Sequence, residues 1–109
     1  MATAYKVLGQ SAPSATTDTT LYTVPSATEA VVSTIVVCNR SASARTYRIA
    51  VRPNAASIAN QHYLAYDVAI AANDSTALTL GITLDATDVI TVRASTADLS
   101  FTAFGSELT

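Results

Sequence analysis

The 109 residues predict an all-β chain, an antiparallel two-sheet β-sandwich of about eight strands, jelly-roll-like or immunoglobulin-like. Three observations carry that expectation. Apolar and polar residues alternate with a period of two in at least five segments. The segments are rich in β-branched residues. They are separated by short stretches carrying the Ser, Thr, Asn, Asp and Pro that turn a backbone.

In chain order, "YKVLGQ" (Tyr5 to Gln10) reads as the opening strand. Residues 10–20, Ser/Thr-rich with one proline, read as a loop or arm lying either on the chain's own sandwich or across a neighbour. "TTLYTVP" (Thr19 to Pro25) and "EAVVSTIVVCNR" (Glu29 to Arg40) are strands separated by "SAT". The second is apolar on both faces, with Ser33, Ile35 and Val37 on one and Thr34, Val36 and Cys38 on the other. If Ile35 and Val37 fill the core, then Val32, Val36 and Cys38 are covered either by the opposing sheet's edge or by another subunit, and the apolar surplus favours the subunit.

"RTYRIAVRP" (Arg45 to Pro53) sets Tyr47, Ile49 and Val51 inside, with Arg48 and Arg52 outside. "NAASIANQ" (Asn54 to Gln61) tolerates a single helical turn in a longer crossover. "QHYLAYDVAI" puts Leu64, Tyr66, Val68 and Ile70 on one face and Tyr63 on the other; "STALTLGITL" aligns Leu78, Leu80, Ile82 and Leu84. "DVITVRAS" turns Ile90, Val92 and Ala94 inward, and "LSFTAFG" does the same with Leu99, Phe101 and Ala103. The turns "AAND", "DATD" and "STAD" are short enough to predict antiparallel hairpins between neighbouring strands. Residues 1–109 thus form a single β-sandwich domain. Its predicted core is Ile35, Val37, Tyr47, Ile49, Val51, Leu64, Tyr66, Leu78, Leu80, Ile82, Ile90, Val92 and Phe101.

Half the residues are apolar and 13% are charged, against roughly 25% in ordinary soluble domains, which suits a surface that neighbours cover. Six basic and eight acidic residues leave a net charge of −2, so neither nucleic acid nor an anionic membrane is an expected partner. A single cysteine excludes an internal disulfide and predicts a buried, inert thiol at Cys38. "MATAYKVLGQ" has neither a basic start nor an apolar run of signal-peptide length, and no segment approaches the roughly 20 apolar residues of a membrane span. Synthesis in a cytoplasm is expected.

Catalytic chemistry has little to work with. The one histidine, His62, has no nucleophile or base beside it in sequence and reads as a strand-end residue bonded to backbone. Three glycines form no phosphate loop, and Asp85 and Asp88 in "DATD" are too few for a metal and suit turn formation. No cofactor, no metal and no enzymatic activity are expected. Arg40, Arg45, Arg48 and Arg52 cluster in sequence and either pair with acidic residues of another subunit or remain solvated. Interface candidates are therefore Val32, Val36, Arg45, Arg48 and Arg52. One outward tyrosine, Tyr63, is thin support for a glycan site.

The succession "YKVLGQSAPS", "LYTVPSATEAVVSTIVVCNRSASARTYRIAVRP", "HYLAYDVAIAANDSTALTLGITLDATDVITVRAS" and "LSFTAFGSE" resembles the small virion structural proteins of tailed phages infecting cyanobacteria and other aquatic bacteria. The resemblance spans essentially the whole chain, with "LYTVP", "VCN", "IAAND" and "FGSE" its most specific pieces. It implies a non-enzymatic subunit in the virion, made in the host bacterial cytoplasm, forming homo-oligomers and contacting major capsid or tail proteins. A capsid decoration or cement role leads. A tail, neck, baseplate or fibre subunit is the alternative, and a glycan-binding adhesion module the more remote one.

Overall fold

A computed structural model describes residues 2–109; Met1, the first residue of the predicted domain, lies outside the described residues. Eight strands form: β1 (Thr3–Ser11), β2 (Thr19–Thr23), β3 (Glu29–Asn39), β4 (Arg45–Arg52), β5 (Tyr63–Ile70), β6 (Ser75–Leu84), β7 (Val89–Ala94) and β8 (Leu99–Leu108). They make two antiparallel four-stranded sheets, ordered β1-β8-β3-β6 and β2-β7-β4-β5. β1 pairs with β8, β2 with β7, β3 with β6 and β4 with β5. The chain is thus one long antiparallel ribbon wound over itself, the jelly-roll alternative rather than the immunoglobulin-like one.

This winding overturns the predicted hairpins. The turns Ala71 to Asp74, Asp85 to Asp88 and Ser95 to Asp98 each carry the chain from one sheet to the other. Short loops suffice because packed sheets lie only about 10 Å apart. The one hairpin of consecutive strands, β4 to β5, has a long connection with two 3-10 turns, Pro53–Ala55 and Asn60–His62. Residues 12–18 lie against the chain's own sandwich, with Ala15 bridging Ala94 and the Thr16 amide donating to the Ala94 carbonyl at 2.8 Å.

The core lies between the sheets, built by Val32, Ile35 and Val37 of β3, Tyr47 and Ile49 of β4, Ile90 and Val92 of β7, and Leu99 and Phe101 of β8. Tyr47 and Phe101 meet edge to face at 6.3 Å. Val32 and Ile35 are three apart in sequence, yet both are fully buried. The register of β3 shifts between Val32 and Thr34 against both neighbours, so Ser33 is a bulge residue and the inward parity changes there. That bulge brings Val32 inward alongside Ile35, while Val36 and Cys38, past it, leave the outer face apolar. It also corrects the placement of Val32, which fills the core and is no surface contact residue.

Bulges account for the exposure of Leu64, Tyr66 and Leu80. In β5 the register shifts twice, once at Tyr66 and Asp67, the latter at φ 51°, and once at Leu64, so Ile70 stays inside while Leu64 and Tyr66 are exposed. In β6 an extra residue beside Gly81, at φ 62°, expels Leu80. Both strands lie at sheet edges, where only one neighbour holds the register. Val51, Leu78 and Ile82 are only partly buried against the core. Cys38 is likewise half-buried on the outer side of β3, not in the core.

Candidate contact surface and the neighbouring polar groups

The outer face of the β1-β8-β3-β6 sheet is built by alternation across a fixed register. Phe104 stands beside Val7 and Thr34, Ser106 beside Tyr5 and Val31, and Thr102 beside Gln10 and Val36. Directly opposed residues of antiparallel strands share a face, so these side chains form one surface. Tyr5 is 85% exposed, and Val7, Val31 and Phe104 are also exposed. They line an open groove of 590 Å³. A second depression of 320 Å³, which includes Glu29, Leu84 and Leu108, shares Val31 and Ser106 with it. Among the outward-facing positions of the described residues in these four strands, Glu29 is the only charged side chain. Val36, a predicted interface residue, lies half-buried on this face.

The predicted arginines are elsewhere. Arg48 and Arg52 belong to β4 in the opposite sheet, so they do not rim the apolar patch on β3. Each has found a partner within the chain. Arg45 Nε lies 3.3 Å from Asp98, while Arg48 forks onto Asp67 with contacts of 2.7 and 3.2 Å. Arg52 donates to Thr91 Oγ1 at 3.0 Å and to the Ala56 carbonyl at 2.9 Å, and Arg40 to the Ala97 carbonyl at 2.8 Å. Arg93 lies 3.6 Å from Asp18 and Lys6 2.7 Å from Glu107. All six basic side chains are therefore engaged internally.

One ionic group ties the two sheets together. Glu107 of β8 accepts from Lys6 of β1 and, at 2.5 Å, from the Tyr22 hydroxyl of β2. The Lys6 ammonium, then the Tyr22 hydroxyl, hold the Glu107 carboxyl below its usual range. Burial, reinforced by Glu107, pushes the Tyr22 phenol well above its own. At the other end Asn39, 1% exposed, donates to the carbonyls of Ser43 at 2.8 Å and Ala71 at 3.1 Å and accepts from the Ser41 amide at 3.0 Å. Both groups close the sandwich.

The remaining polar candidates serve local structure. His62 Nδ1 accepts from the Ala59 amide at 3.0 Å, the backbone bond expected of it. Asp88 accepts from the Asn54 and Asp85 amides, and Asp85 from Ala86, which shapes the turn. No group of three or more His, Cys, Asp or Glu suited to a metal occurs among the described residues. No helix among them is long and apolar enough to cross a membrane.

Tyr5, Val7, Val31 and Phe104 were not singled out from the sequence. Phe104 is legible in the sequence, because the alternation that turns Phe101 and Ala103 inward leaves it outward. Tyr5 and Val7 share a face by simple alternation. Val31 needed the bulge. Comparisons with protein-family models, with curated proteins and with solved structures gave no match.

Proposed function

We propose that this protein is a non-enzymatic structural subunit of a tailed-phage virion, most specifically a capsid decoration or cement protein that works by holding neighbouring subunits together. The observation that carries the reading is the outer face of the β1-β8-β3-β6 sheet, with its exposed Tyr5, Val7, Val31 and Phe104, Glu29 its one outward-facing charge and Lys6, paired with Glu107, at the side of the groove. Apolar patches with few charges are the compositional mark of an interface centre. Four strands at about 4.8 Å spacing and an eleven-residue β3 give a face of roughly 19 by 36 Å, on the order of 700 Å². That approaches the roughly 800 Å² each partner contributes to a standard stable interface.

The virion assignment rests on the whole-chain sequence resemblance; the contact mechanism rests on the surface. Adding purified protein to tailed-phage particles that lack it tests both. Saturable binding in many copies, with imaging that places it on the head and a raised temperature of head disruption, is the expected outcome. Binding confined to the tail, neck or baseplate would replace the cement role by the alternative. Absence of binding to any part of the particle would overturn the virion reading.

A further inference from the structure

β1 is an edge strand, and its first half is an open edge. The Ala2 amide donates to the Thr109 carbonyl and the Thr109 amide to the Ala2 carbonyl, both at 2.8 Å. From that reciprocal pair the ladder with β8 alternates, so Ala4 and Lys6 turn their amide and carbonyl groups toward β8, while Thr3, Tyr5 and Val7 turn theirs away from it. β1 has no strand on that side, and among the described residues no other backbone group reaches those of Thr3, Tyr5 and Val7. Every residue from Thr3 to Val7 is exposed. The open stretch ends at Leu8, where the register shifts, and β2 then runs so close that a Cβ at Gly9 would collide with the Leu21 carbonyl.

The other edges are less suited to a further strand. β2 and β5 carry register shifts that twist an edge out of line. The regular part of β6 offers only the small outward side chains of Ser75, Ala77 and Thr79. β1, by contrast, carries Tyr5, 85% exposed, and Val7 beside its free backbone groups.

We propose that β1 pairs with β1 of a second copy of this chain, antiparallel about a twofold axis at Tyr5, so that the two four-stranded sheets become one. The stretch from Thr3 to Val7 is complementary to itself. About that axis Tyr5 faces the partner's Tyr5 and Thr3 faces the partner's Val7, and because all of these residues turn their backbone groups outward, each facing pair exchanges two hydrogen bonds. A slip of one residue would set outward groups against inward ones and lose those bonds. The facing side chains are an aromatic pair flanked by β-branched pairs, the combinations that stabilise neighbouring strands. Lys6 is the one charge on the stretch, and an edge lysine ordinarily opposes such pairing. Its ammonium is neutralised by Glu107 at 2.7 Å, and in this register it faces the partner's Ala4. The pairing uses the strand edge, distinct from the face contact proposed above, and lays two of those faces side by side.

The test is amide hydrogen exchange, read residue by residue by NMR on the full-length protein over a range of concentrations. Concentrating the protein should slow the Thr3, Tyr5 and Val7 amides by about tenfold or more and leave those of Ala4 and Lys6, already bonded to β8, unchanged. Cross-linking then reads the register. In a Cys38→Ser background, Tyr5→Cys should oxidise to a covalent dimer, because facing Cα atoms about 5.5 Å apart are within disulfide reach. Val7→Cys should not, because its two copies stand roughly 13 Å apart along the strands. Melting curves confirm that each variant is folded. Phe104→Asp, one strand in from the edge, should stop assembly beyond the pair yet keep the slowed exchange, so edge and face are read separately. Exchange that does not change with concentration overturns the proposal, as does cross-linking at Val7 equal to that at Tyr5. Loss of the slowed exchange in Phe104→Asp overturns it in favour of the face, and slowing only on addition of another virion protein overturns it in favour of that protein.

Discussion

Val32 and Val36 are the same residue type four positions apart in one strand, and only the bulge at Ser33 separates their fates. Val32 is fully buried, while Val36 lies on the outer face between Thr102 and Ala77. Ile35, on the inner side of the same bulge, is fully buried too. Ile35→Ala should therefore destabilise the fold by about 2–5 kcal/mol, and Val36→Ala by under about 1 kcal/mol, measured by urea denaturation. A similar loss at both positions would mean that Val36 is core. The period of two identified Ile35, Val37, Ile49, Ile90 and Phe101 correctly. It failed after each irregularity, because alternation carries no information about an inserted residue until the register with a neighbour is known.

The elements owe their arrangement to turns that use few glycines. With three in the chain, left-handed positions fall to Thr16, Ala27, Asn54, Ala55, Asp67, Asn73 and Thr87. Asn and Asp tolerate that region, whereas alanine has no side-chain hydrogen bond to offset the clash of its Cβ. Ala27→Gly, in the turn between β2 and β3, should raise stability by about 0.5–1 kcal/mol, the relief of strain exceeding the added freedom of the unfolded chain. A lowered melting temperature would contradict the assigned backbone conformation. The turn residues themselves were readable from sequence. Their topology was not, since a four-residue turn serves a hairpin or a crossing between sheets equally well, and long-range pairing decides which.

Glu107 acts between elements as well. Its carboxyl, like that of Asp67, sits below the usual range in the folded state. The unfolded chain therefore takes up protons at higher pH than the folded one. The stability these groups contribute is fully present above the ordinary carboxylate range and is lost as the pH falls through their lowered values. Glu107→Gln should cost about 1–3 kcal/mol near neutrality by weakening the Lys6 and Tyr22 contacts, and should flatten the acid limb of the melting-temperature profile. A variant whose acid limb matches that of the unaltered protein would show that Glu107 does not tie the sheets as described.

At the scale of the whole molecule the division of labour is between two outer surfaces. The β2-β7-β4-β5 side holds Arg45, Arg48 and Arg52, all internally paired. The β1-β8-β3-β6 side is nearly free of charge and presents the exposed apolar side chains of three strands. Low charge was visible in the composition, but its concentration on one sheet emerges only when β1, β8 and β3 are laid side by side. The most direct measurement is sedimentation velocity over a range of concentrations, on the unaltered protein and on Phe104→Asp, with thermal melting alongside. Self-association in the unaltered protein, weakened about tenfold or more by Phe104→Asp at an unchanged melting temperature, is the predicted result, because a charge set into an apolar contact must be desolvated without a partner. A protein that stays monomeric at every concentration, or associates equally well with Asp at position 104, would contradict assembly through this face.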